Sequence, residues 1–351
     1  MPRKLSILPQ LHDKGMHVEI LQEKLLSLGY EIGRVDGDFG NKTKNAISAF
    51  QLSKDLTQTG IPDLITLHHL GLEVSSETDP NPVNAIVDLV DRSRISRLEW
   101  ANRGQAPYGY YYGMALMFAR LVARLRNGDH ITQEIAKPLV PDAAHDALYR
   151  FDDVFRAMGM QNNDEVERLR HLMVLMFGLG LMESSGRHCV GWDRGKLTGW
   201  GNPAKIIVPT GPNSEAGLFQ TSFDILSSVK PDTKTRLLEI FSNYKTNPDG
   251  LLDFFAKGAK CGPENDEIKG EGDAREFQRM AKECPAFTVE FNAVALRNVS
   301  RHWNPVIKKG DPEDGLEIKT ACDELLQKIQ TYADGIEVHD LTHLMTEVDY
   351  I

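Results

Sequence analysis

The chain has 351 residues, 41% of them hydrophobic and 26% charged, with a formal net charge of -10. That balance is globular and excludes a largely disordered chain, and the length suffices for one large domain and a small one. The acidic surplus argues against a protein that grips nucleic acid or an anionic membrane surface through bulk charge.

The N-terminal stretch MPRKLSILPQLHDKG places Arg3 and Lys4 before an apolar run that is short and broken by Pro9. It makes a poor secretory signal, so export would need another route. From Val18, the residues Val18, Leu21, Leu25 and Leu28 recur at helical spacing and predict an apolar stripe on a helix stopped by Gly29. A second helix is expected from about Asn41, read as its N-cap, with Ala46, Ile47 and Phe50 facing the first. A third runs from Asp63 through Thr66 to Leu70. Between the first two, VDGDFG carries glycines where a tight turn needs positive φ. The expectation is a small three-helix domain over 1–72, with its core in 17–72.

Taken together, LQ..L..LGY...VDG.FG..T..AI..FQ......TG..D..T...L resembles the peptidoglycan-binding domain 1 family along its whole length. The resemblance implies a module that holds cell-wall glycopeptide in a groove around the DG.FG loop. Its candidates here are Asp36, Gly37, Asp38, Phe39 and Gly40. For Asp36 and Gly37 a plain turn remains the alternative.

Residues 73–83, EVSSETDPNPV, combine Ser, Thr, Asp and Pro with little to bury and read as a linker, with a second domain over 84–351. Helices are expected at 84–100, 109–127, 142–158, 163–182, 221–229, 232–243, 249–257, 273–283, 286–302 and 314–333. The best strand pattern is the brief KIIVP at 205–209, so the class is mainly α with a small β or irregular element. The run 107–121, PYGYYYGMALMFARL, reads as a core helix, with a sugar platform of Tyr110 to Tyr112 as the alternative.

Residues 172–182, LMVLMFGLGLM, are apolar apart from two glycines and are followed at once by Glu183 and Ser184. At about half the ~20 residues a membrane span needs, this is a core helix. A carboxylic acid at its C-terminal end meets desolvation and the negative end of the helix dipole, and both raise its pKa. An acid that keeps its proton near neutral pH is what glycosidic cleavage needs. The alternative is a surface glutamate on an exposed helix end.

Glu183-Ser184 followed by GLFQ, residues 217–220, resembles the Glu-Ser and Gly-Leu-Met-Gln signature of the lysozyme-like superfamily, above all goose-type lysozymes and soluble lytic transglycosylases. The resemblance implies that Glu183 is the catalytic acid and that Ser184, Gly217, Leu218, Phe219 and Gln220 line the cleft. VGWDRG (190–195) resembles a goose-type stretch and puts Asp193 at an acidic position of that family. Trp192 and Trp200 suit sugar faces or small cores equally. EFNAVALRNVSRHW (290–303) loosely resembles the family's Ala-Tyr-Asn-Ala helix, with Phe291 in place of tyrosine and Asn292 left to contact sugar. The family's second acid falls on Ser222, and the nearest carboxylate is Asp224. His188 reads as a loop residue or a substrate contact.

Among four cysteines, Cys261 and Cys284 bracket a polar, glycine-bearing stretch and would make a loop staple in an oxidising compartment; free buried thiols are the alternative. No cysteine has metal-ligand spacing with a histidine, so a structural metal is not expected, and acid catalysis with water needs no cofactor.

The expected protein is a muramidase that cuts the β-1,4 bond between N-acetylmuramic acid and N-acetylglucosamine, with Glu183 as acid and Asp193 placing water. The alternatives are a lytic transglycosylase giving 1,6-anhydro products and a non-catalytic wall-binding protein. Its partner is peptidoglycan in the bacterial envelope. Phage-type release, or a secretion apparatus with a matching immunity protein, would complete the setting.

Overall fold

A computed structural model of the chain describes residues 4–75, 79, 81–100, 103–193, 199, 202–247, 249–262, 267–299 and 312–335. The chain divides into two compact units, Met1–Leu98 and Glu99–Ile351. The described residues are mainly helical, and their one sheet is a two-stranded parallel pair.

In the first unit, α1 (Met16–Ser27), α2 (Asn41–Ser53) and α3 (Leu64–Leu70) enclose a core of Val18, Leu21, Leu25, Phe39, Ala46, Ile47, Phe50, Leu67 and Leu70. The expected stripe holds except at Leu28, which is the C-cap of α1 and 47% exposed, because the chain leaves the helix there. The cap of α2 is Gly40, with Asn41 already helical and no side-chain cap present. Asp63 does cap α3, accepting from the Thr66 amide at 2.7 Å.

The 73–83 stretch is not all linker. β1 (Lys4–Leu5) pairs with β2 (Glu73–Val74), and Asn81 caps α4 (Pro82–Asp91) by accepting from the Val83 amide at 2.9 Å. α4 packs on the first unit because Asp91, buried, accepts from the Ser6 hydroxyl at 3.0 Å and pairs with His17 at 3.2 Å. The contact boundary therefore follows Leu98, downstream of the one expected from composition.

His17 is buried between Asp91 and Asp13, the latter 3.6 Å away. Burial opposes its charge, but the two carboxylates outweigh burial and raise its pKa from 6.5 to about 9. A histidine with a raised folded pKa stabilises fully below its unfolded value, and the gain is lost as pH climbs through the folded value. The first unit should thus lose on the order of 3 kcal/mol between pH 6.5 and pH 9.5. Thermal melts across that range should show the decline in the native chain and a flatter profile in His17→Gln.

The second unit is built on three helices sunk in its interior: α5 (Tyr108–Arg126), α8 (Glu165–Ser184) and a later one, α12 (Pro285–Leu296). Around them lie α6 (His130–Ile135), α7 (Ala147–Ala157), α9 (Pro231–Thr246), α10 (Leu252–Phe255), α11 (Gly272–Glu283) and α13 (Pro312–Asp334). The 221–229 segment is a 3-10 turn at Phe223–Ser227, and the end of the expected 84–100 helix is another at Arg94–Arg97. KIIVP forms no strand: Lys205 ends a 3-10 turn and Ile206, Ile207 and Val208 stand exposed at 49%, 43% and 70%. Tyr110, Tyr111 and Tyr112 are buried in α5, so they pack the core and offer no sugar platform.

Candidate active site

The approach of α8 to α5 fixes where Glu183 emerges. The Tyr110 hydroxyl donates to the Phe177 carbonyl at 2.7 Å, and a Cβ on Gly180 would lie 2.4 Å from that hydroxyl, so only glycine admits the tyrosine there. One turn later α8 ends, with Ser185 left-handed at φ 55°. Glu183 therefore stands at the rim of a rigid, buried rod. Its side chain is exposed and not held out of water as the apolar run suggested, because the last turn projects beyond the core. Even so, the protein packed around it and the negative charge of Glu215 push its carboxyl above the ordinary value, with the Arg103 guanidinium opposing.

Beyond α8 the chain runs back along α11. His188 is buried, and its Nδ1 pairs with the Lys282 carbonyl at 2.7 Å, which makes it a fastening rather than a substrate contact. Cys189 forms a disulfide with Cys261, their Cα atoms 5.9 Å apart. The staple thus joins Cys261 to a different cysteine from the one expected, and Cys284 is buried as a free thiol against Gly250.

Residues 216–221 form a tight hairpin, with the Ala216 amide donating to the Thr221 carbonyl at 3.2 Å. It docks on the segment leaving α8 through the Gly217 amide, which donates to the Val190 carbonyl at 2.8 Å. Gly217 has φ 76°, and a Cβ there would sit 2.2 Å from the Ala281 carbonyl oxygen, so any side chain would push the hairpin off α11. The GLFQ motif is in this way fastened to the segment that follows the Glu-Ser motif, at Val190.

Not every motif residue faces outward. Leu218 and Phe219 are fully buried and anchor the hairpin from below, while Gln220 is half-buried and donates to the Gly217 carbonyl at 3.1 Å. Ser184 is buried and bonds back to the Gly180 carbonyl at 2.9 Å, which removes it from sugar contact. Asn292, fully buried, accepts from the Thr221 hydroxyl at 2.7 Å and donates to the Thr288 carbonyl at 2.8 Å; it clamps the hairpin instead of meeting sugar. Phe291 packs edge-on against Phe277 with ring centroids 5.1 Å apart, deep in the core, so it has no substrate to touch.

Trp192 is 8% exposed, with the Lys269 ammonium 5.2 Å from its ring centroid, and belongs to a small core rather than an open platform. Asp193 is exposed, and Trp200 lies outside the described residues. Asp224 accepts from the Ser222 hydroxyl at 2.5 Å, closing a local turn. A depression lined by Met160, Gln161, Arg170, Asp323 and Gln327 lies near the start of α8, roughly 20 Å from Glu183 by the rise of the helix. Within it Arg170 meets Asp323 at 2.9 Å.

In the first unit the DGDFG loop is organised from inside by Gln22, which the helical pattern did not single out. Buried to 1%, its carbonyl accepts from the Asp36 and Gly37 amides at 3.0 and 2.9 Å, and its amide donates to Asp36 Oδ1, the Asp38 carbonyl and Thr43 Oγ1. Gln51 does the same for the later loop, accepting from Gly60 and donating to Ile61 and Thr66. Both stand in the LQ and FQ pairs of the pattern, which was the available signal. Phe39 is fully buried and roots the loop in the core, so it cannot touch glycopeptide. Asp36 remains exposed, with Asp38 and Gly40 half-buried and Gly37 buried in the turn.

These features define the class: a helical protein of two units, the first a three-helix bundle with a glutamine-braced loop, the second a larger helical body with a glutamate at a helix end. A model of the family described as "Putative peptidoglycan binding domain" matches residues 14–70. Those residues form a peptidoglycan-binding domain, which associates the chain with the cell wall. No curated protein and no solved structure matches the chain. Among the described residues no helix is long and apolar enough to cross a membrane.

Proposed function

We propose that the second unit cleaves the glycan strands of peptidoglycan as a muramidase, with Glu183 as the general acid. The observation that supports this reading is Glu183, its pKa raised at the end of α8, followed by a segment on which the 216–221 hairpin docks through Gly217 and Val190. Acid catalysis at a glycosidic bond requires a carboxyl that holds its proton until the leaving oxygen takes it. An exposed tip on a rigid support suits a polymer that must be reached from solvent. The peptidoglycan-binding domain keeps the second unit at high local concentration over its substrate without new contacts at the site.

The reaction acts in the bacterial cell envelope, after release by a phage-type lesion or delivery by a secretion apparatus whose owner carries an immunity protein. Digestion of purified sacculi followed by mass spectrometry of the fragments tests the chemistry. Hydrolysis yields reducing muramic ends. Fragments ending in 1,6-anhydro sugar would replace the hydrolase by a lytic transglycosylase. An intact sacculus with the protein bound to it would leave the non-catalytic wall-binding reading.

A further inference from the structure

We propose that His188, Cys189 and Cys261 form a zinc site when the Cys189–Cys261 disulfide is reduced. The inference is independent of the muramidase reading.

The tautomer of His188 is set by its neighbour. Nδ1 lies 2.7 Å from the Lys282 carbonyl, and a carbonyl only accepts, so Nδ1 carries the hydrogen and Nε2 presents its lone pair. The residue is 8% exposed, and among the described residues Nε2 meets Cys261 Sγ alone, 3.8 Å away. A disulfide sulfur has no hydrogen to give. The lone pair is therefore buried without a donor, an arrangement that costs free energy as long as nothing fills it.

A metal ion fills it. Ligating histidines are held in this way, one nitrogen donating to a carbonyl and the other free for the ion. The ligand atoms of His188, Cys189 and Cys261 all lie within 4.8 Å of one another. In a tetrahedral site with Zn–S about 2.3 Å and Zn–N about 2.0–2.1 Å, sulfur and nitrogen stand roughly 3.6 Å apart and two sulfurs roughly 3.8 Å. The 3.8 Å between Nε2 and Cys261 Sγ is already close to the first value. Opening the disulfide lets the sulfurs separate to the second. Two thiolates cancel the charge of the ion, and sulfur with imidazole selects zinc over magnesium or calcium. Cys261 is exposed, so solvent reaches the fourth position.

The frame does not depend on the disulfide alone. His188 is tied to α11 through Lys282, and Val190, next to Cys189, accepts from the Gly217 amide at 2.8 Å. On the other side Gly258, with φ 68°, lies so close to the Tyr108 ring that a Cβ would stand 2.7 Å from it, which fixes the chain three residues before Cys261. Spacing hid the site, since two of its residues are adjacent and the third lies 72 residues beyond Cys189.

The conversion balances. A dithiol reductant gives two electrons and two protons to the sulfur–sulfur bond, leaves two thiols and closes into its own disulfide. Zinc then binds both sulfurs and Nε2, and the two thiol protons pass to solvent. Where thiols are kept reduced the ion fastens the segment after α8, and in an oxidising compartment the disulfide replaces it.

The test uses the full-length chain without a histidine tag, reduced with a dithiol and then freed of it without air. Equilibrated with zinc and freed of unbound metal, it should retain about one ion per chain, and the oxidised chain none. Cobalt in place of zinc should give thiolate-to-metal charge-transfer absorption. At a hundredfold excess over its Kd, zinc should raise the melting temperature of the reduced chain by roughly 5 °C or more and leave that of the oxidised chain unchanged. Cys261→Ser, at an exposed position, and His188→Gln, whose amide still donates to the Lys282 carbonyl, should each bind at least about 10-fold more weakly, the scale on which even outer partners of a metal act. The proposal is overturned if the reduced chain retains no metal, if zinc leaves its melting unchanged, or if either variant binds zinc as the native chain does, which would put the ion elsewhere.

Discussion

Glu183→Gln should bring muropeptide release from sacculi down to background, a loss of at least about 100-fold by the usual worth of a general acid, while the protein still pellets with the wall. The substitution keeps the shape of the side chain and removes only the transferable proton. Because the peptidoglycan-binding domain at residues 14–70 lies in the first unit, Met1–Leu98, and Glu183 in the second, wall binding is expected to be untouched. Stability carries a second signature. A carboxyl whose folded pKa is raised binds its proton more tightly in the folded state, so stability falls as pH rises from the unfolded value through the folded one. Removing the titration should leave the melting temperature of Glu183→Gln equal to or above that of the native chain at neutral pH. A drop in both activity and melting temperature would instead make Glu183 a structural residue. In the native chain, activity should decline as pH climbs through the raised value of Glu183, because the acid form is the one that works.

Much of the scaffold was legible because helical periodicity is a local signal. Val18, Leu21 and Leu25, or Ala46, Ile47 and Phe50, declare their face through spacing alone, and all are buried. The abrupt change from LMVLMFGLGLM to Glu183 likewise marked where α8 leaves the core. Spacing does not say which side of a motif faces solvent. Leu218, Phe219, Phe291 and Asn292 sit in the right segments, yet all four are fastened inward, and of the GLFQ residues only Gln220 is half-buried. Cysteine pairing was illegible for a related reason. Cys261 is near Cys284 in sequence, but a disulfide answers only to Cα geometry, and the fold brings Cys189 to it across 72 residues. The attachment of α4 to the first unit rests on Asp91, a polar residue that finds a buried histidine, whereas the sequence reading placed the 84–100 helix in the second domain.

The largest stability effect in the second unit is expected at Arg297. Its guanidinium and the carboxylate of Asp146 are both fully buried and meet in a fork, Nε to Oδ1 and Nη2 to Oδ2 each at 2.9 Å. The remaining donors reach the carbonyls of Ile135, Lys137 and Pro138 at 2.5, 2.9 and 3.0 Å, so one side chain at the end of α12 closes the chain between α6 and α7. Asp146 in turn caps α7, accepting from the Leu148 amide at 3.0 Å, and accepts from Val140 at 2.9 Å. Such a pair adds little over an apolar substitute, but removing one partner strands the other's charge and costs about 3–5 kcal/mol. Arg297→Ala leaves Asp146 without its counter-ion and three carbonyls without donors. The melting transition of the second unit should fall by roughly 10 °C or more at this domain size, while the first unit, which shares none of these contacts, keeps its own. Arg297→Lys should fall between the two, since an ammonium preserves the charge but cannot span a carboxylate and three carbonyls at once. Calorimetry of the full chain separates the transitions, and an Arg297→Ala melt indistinguishable from the native one would show that this buried pair holds nothing together.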